Sequence, residues 1–132
     1  MNLYNLPDHP PASFFELGEA HPDWSVHDLS MTCWKRVSDW LLWGANFAGT
    51  ADPAAREKII KAILLVETNG HMGELDNARQ ARATEAHRFW LNSMSGEALA
   101  KHCQRVLDEI PSENKKWPAY LLTRKQKREA AA

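Results

Sequence analysis

Ser25-Val26-His27-Asp28-Leu29-Ser30-Met31-Thr32-Cys33-Trp34-Lys35-Arg36-Val37-Ser38-Asp39-Trp40-Leu41-Leu42-Trp43-Gly44 is the stretch that decides the fold. Ser25 stands three residues before Asp28, the spacing of a capping box, and Trp24 and Leu29 flank it at hydrophobic-staple spacing. The pattern predicts a helix from Val26 to Trp43 with Gly44 as its stop. At about 100° per residue, Val26, Leu29, Met31, Cys33, Trp34, Val37, Trp40, Leu41 and Leu42 cover well over half the circumference. Asp28, Thr32, Lys35, Arg36 and Asp39 form the polar stripe. So apolar a helix must be wrapped by others, which places it at the centre of the fold.

The flanking sequence supplies the wrapping. Leu6 to Pro11 holds three prolines and is an extended lead-in. Ser13 and Glu16 cap a short helix over Phe14–Ala20. Asp52-Pro53 opens a helix that runs to Thr68, with Asn69-Gly70 as the stop and Ile59, Ile60, Ile63, Leu64 and Val66 as its apolar face. Gly70 to Gly73 links it to a helix over residues 74–94, which makes the two antiparallel neighbours. Ser95 caps a helix from Gly96 to Ile110, with Leu99, Cys103, Val106, Leu107 and Ile110 as its stripe and Pro111 as its end. Trp117-Pro118 opens a last short helix over Ala119–Arg128. Strand-type alternation is lacking, so the expected class is all-α: a compact antiparallel four-helix bundle with a short N-terminal helix and a basic C-terminal helix.

The 132 residues suit one domain. It divides into an acidic arm (1–24), a helical core (25–110) and a basic C-terminal segment (111–132). With 16 Lys+Arg against 17 Asp+Glu the net charge is −1, which excludes a uniformly basic nucleic-acid coat but not a local patch. No apolar run approaches the roughly 20 residues of a bilayer span. Met1 to Asn5 has no basic or apolar leader pattern, so a cytoplasmic protein is expected. Cys33 and Cys103 are too few for a disulfide scaffold and read as small core residues.

Charges on apolar faces mark the candidate sites. Glu67 follows Ile63 by four and lies on the stripe of its helix. Arg79 and Arg82 fall on the side of the next helix that carries Leu75, Ala86, Phe89 and Trp90, read here as its inward face. The hairpin brings Glu67 to Arg79, either as a buried ion pair fixing register or as an anion pocket of Glu67, Arg79 and Arg82 for a small molecule or nucleotide. Glu67, His71 and Glu74 have helical metal-ligand spacing, but Gly70 and Gly73 break the helix, so neither a metal nor a cofactor is expected. No nucleophile elbow or phosphate-binding glycine motif is present, which leans away from an enzyme.

Trp43 falls among Arg36, Asp39 and Thr32 on the polar side of its helix, either as an exposed indole that anchors a partner or as one covered by the loop 44–51. Trp117, Tyr120, Lys115, Lys116, Arg124, Lys125, Lys127 and Arg128 mix aromatics with bases, a composition that suits a protein partner or nucleic acid. The leading expectation is a non-enzymatic interaction protein, an adaptor or inhibitor of a size that suits phages and mobile elements, acting as a monomer or homodimer. Small-molecule binding and nucleic-acid binding are the alternatives.

Overall fold

A computed structural model describes residues 6–67 and 78–114. Five α-helices follow in order: α1 Phe14–Ala20, α2 Val26–Phe47, α3 Pro53–Glu67, α4 Ala78–Asn92 and α5 Gly96–Asn114, with a 3₁₀ turn at Ala48–Thr50. Among the described residues there is no strand, so the chain is all-α. No described helix is long and apolar enough to cross a membrane.

Helix α2 is the centre. It packs on α1, α3, α5 and the 3₁₀ turn, most extensively on α5. Its start is fixed by Ser25, whose Oγ accepts the Asp28 N–H at 3.1 Å. At α1 the capping box is complete: Ser13 Oγ accepts from Glu16 N–H and Glu16 Oε1 accepts from Ser13 N–H, both at 3.0 Å. Leu17 of α1 is buried with Ala12, Leu29 and Cys33. The larger core gathers Val37, Trp40 and Leu41 of α2, Ile59, Ile60 and Ile63 of α3, Leu91 of α4, and Leu99, Cys103 and Val106 of α5.

Gly44 does not stop α2. The helix continues to Phe47 with Gly44 buried inside it. A Cβ there would sit 2.7 Å from Cys103 Sγ and 3.0 Å from Ile59 Cγ2. The glycine marks the place where α3 and α5 approach the backbone of α2, and packing outweighs its weak helix propensity. Pro111 does not end α5 either, which reaches Asn114. So near a helix end, the lost N–H removes a single ladder bond with little helix left to disrupt. The expected helix over Ala119–Arg128 lies outside the described residues.

Two outer elements are tied on by polar contacts. Asp52 Oδ1 accepts Ala55 N–H at 2.7 Å and caps α3. In the next turn Arg56 donates to Leu91, Asn92 and Met94 carbonyls at the end of α4. A cation on orphan C-terminal carbonyls also meets the negative end of the α4 dipole. The start of α3 thus lies beside the end of α4, in keeping with the expected reversal of direction.

Helix α4 presents its other side. Leu91 is fully buried, while Phe89 is 78% exposed and Trp90 48% exposed. Arg82 and Ala86, on the Phe89 side, are exposed as well. The face read as inward is the outward one. Its apolar stripe and the opposite side differ too little in hydropathy for the pattern to decide, and Leu91 with the Arg56 contacts decides instead.

Candidate functional site

Three helices meet at one carboxylate. Glu67, in the last turn of α3, accepts from His87 Nε2 on α4 and from His102 Nε2 on α5, each at 2.9 Å and each at Oε1. The His102 side chain is 7% exposed, against 29% for His87 and 28% for Glu67. The Trp90 ring lies 5.5 Å from His102, edge to face, and 5.4 Å from His87. A buried imidazole needs a partner, and a carboxylate off the core needs donors; each satisfies the other.

Burial pushes the Glu67 carboxyl up, but the hydrogen bonds from His102 and His87, with their charge, outweigh it and hold the group below the usual glutamate range. On both rings Nε2 is the atom that faces the carboxylate, so each histidine holds Glu67 through a ring N–H. Both Nε2 atoms are spent on the same oxygen, and among the described residues no group of three or more His, Cys, Asp or Glu side chains is arranged to hold a metal ion. The arrangement is a joint: it locks the end of α3 to the middles of α4 and α5.

Glu67 meets two histidines that the sequence pattern did not place beside it. Arg82 is exposed and bonds to nothing among the described residues, and the side chain of Arg79 lies outside them. Arg82 stands with Phe89 on the exposed face of α4. The signals for the true partners were in the sequence. His102 lies between Leu99 and Val106 at helical spacing, on the apolar stripe of α5, and His87 precedes Trp90 by three.

Trp43 is not an outward anchor. It is 7% exposed, with its ring 5.8 Å from Trp40 and 5.4 Å from Phe47. The buried face of α2 turns along its length: the polar stripe faces solvent over the first turns, while the last turns are crossed by α3, whose Lys58 Nζ lies 5.6 Å from the Trp40 ring centroid. Met31 and Leu42, three turns apart in the arc expected to be covered, are 44% and 57% exposed. Arg36 is half-buried beside a cleft of the N-terminal half. Lys115, Lys116, Trp117, Tyr120, Arg124, Lys125 and Arg128 lie outside the described residues, as do His71 and Glu74.

Cys33 and Cys103 are both buried, and burial pushes both thiols up to about 12. Such thiols are not nucleophiles near neutral pH. Against family models, curated proteins and solved structures, the chain has no match.

Proposed function

We propose that the chain is a non-enzymatic interaction module that docks on a protein partner through the outward face of α4. The observation that carries this reading is Phe89, 78% exposed beside Trp90 at 48%. Phe89 stands in water and Trp90 is half-exposed with its ring leaning on His87 and His102, so Phe89 above all forgoes the burial that stabilises most such side chains; aromatic and Arg residues are the commonest interface anchors. Arg82, two turns before Phe89, lies on the same face and has no acidic partner among the described residues; Arg88 nearby is paired with Glu85 at 3.4 Å. The complementary surface is an apolar pocket with an acidic rim, which an exposed helix fills in the groove-docking mode. An adaptor or inhibitor works in this way.

The test uses wild type, Phe89→Ser/Trp90→Ala and Leu42→Ser as affinity baits, followed by rebinding of each captured protein in purified form. Support is a purified partner that binds wild type and Leu42→Ser but binds the α4 variant at least about tenfold more weakly, the cost of one lost anchor. If every captured partner binds the α4 variant as tightly as wild type, the reading fails. Should the partner prove to be a second copy, sedimentation will show a dimer that the α4 substitutions dissociate.

A further inference from the structure

A cleft of about 320 Å³ lies between the lead-in, the α1–α2 corner and the first half of α2, and shares no residue with the Glu67 joint or α4. Its size is at the lower end of small-molecule pockets. Its walls are fixed before anything binds. Trp40 Nε1 donates to the His9 carbonyl at 2.6 Å, which clamps the lead-in onto α2. At the corner, the His21 ring stacks on the Trp24 indole at 3.7 Å with an interplanar angle of 6°.

The charges that line it are not all spent. Lys35 Nζ is held by Asp39 at 2.8 Å, so that pair is closed. Arg36, half-buried, makes no hydrogen bond or ion pair among the described residues, and neither does Asp8 on the opposite wall. What remains is one guanidinium, one carboxylate that feels the charge of Lys35, and the exposed part of an indole whose one face His21 covers. Thr32, one turn before Arg36 on the same face of α2, adds a hydroxyl. A guanidinium presents a planar fork of donors that matches a carboxylate in two parallel bonds. A simple anion entering here meets Asp8, and a simple cation meets Arg36. A ligand bearing both charges meets neither penalty, and a flat apolar body suits the indole wall.

We propose that this cleft binds a small zwitterion of the aromatic α-amino-acid type, with its carboxylate on Arg36, its ammonium at Asp8 and its ring against Trp24. The experiment is an NMR titration of the full chain with L-phenylalanine, benzoate and phenethylamine, read at the Trp24 indole N–H, which a Trp24→Phe variant assigns. Circular dichroism checks that Arg36→Gln and Asp8→Asn remain helical. The expected result is a saturable Trp24 shift with L-phenylalanine at about millimolar affinity, and at least about tenfold weaker binding of benzoate, of phenethylamine and by Arg36→Gln. No saturable shift up to about 10 mM L-phenylalanine, a well-populated range for such an affinity, overturns the proposal. So does equal binding by Arg36→Gln, or benzoate binding as tightly as phenylalanine.

Discussion

Replacing Glu67 by glutamine keeps the shape of the joint and removes its charge. Glu67 Oε1 accepts two imidazole N–H groups at 2.9 Å. A hydrogen bond to a charged group contributes about 1.5–3 kcal/mol and a neutral one about 0.5–1.5, so the swap costs about 1 kcal/mol per bond before screening. The Glu67 side chain is 28% exposed. Solvent there weakens the difference, and the expected loss for Glu67→Gln is about 1 kcal/mol in total, or about 4 °C in Tm for a chain of this size. Glu67→Ala goes further. It leaves the buried His102 donor without an acceptor, at about 1–3 kcal/mol more.

The pH dependence separates charge from shape. The Glu67 carboxyl is held below its ordinary value. A depressed carboxylate contributes stability that is present above the unfolded-state value and is lost as the pH falls through the folded-state value. Thermal unfolding followed by circular dichroism at pH 7 should rank wild type above Glu67→Gln above Glu67→Ala. The gap between wild type and glutamine should close as the pH falls through that depressed folded-state value, where the glutamate is protonated and resembles the amide. A gap that is absent at pH 7, or that stays constant as the pH falls through that value, refutes the joint as described.

Gly44→Ala should destabilise the fold by about 1–2 kcal/mol, because overpacking outweighs the gain in helix propensity. The added methyl lands 2.7 Å from Cys103 Sγ, so Cys103→Ala in the same chain should recover at least half of the loss, measured as a double-mutant cycle in urea. Both thiols should resist alkylation in the native protein at pH 8 and react once denaturant unfolds it; fast native labelling of either contradicts the burial that raises them to about 12.

What was legible in the sequence followed the strength of the local signal. Ser13 with Glu16, Ser25 with Asp28, and Asp52 with Pro53 placed three helix starts correctly, because a cap is a contact within one turn. The stripe of α5 was equally plain: Leu99, Cys103 and Val106 are all buried. Helix ends were harder. Gly44 carries the local mark of a stop, but its role is set by Cys103 and Ile59, 59 and 15 residues away in the chain. Trp43 went the same way: its position on the wheel is polar, yet it is buried with its ring against Trp40 and Phe47. For the site, the odd carboxylate was visible and its partners were not. The side chain of Arg79, the expected partner, lies outside the described residues, and the structure brings Glu67 to two histidines whose sequence separations are 20 and 35.

The reversal of α4 connects these points. A helix with a strong apolar stripe is seated by that stripe, and polar contacts only adjust it. Among its described residues helix α4 has a single fully buried large side chain, Leu91, and it takes its seat from Arg56 at its end and Glu67 at its middle. Two polar anchors on one neighbouring helix fix both its position and its rotation, since each has directional geometry that apolar burial lacks. With the rotation set, Phe89 faces outward whatever its hydropathy and Trp90 stays half-exposed against His87 and His102. The same argument ties the Glu67 joint to partner binding: loosening the joint frees α4 to turn its aromatics toward the core, so Glu67→Ala should weaken a partner held by Phe89 even though Glu67 touches none of it.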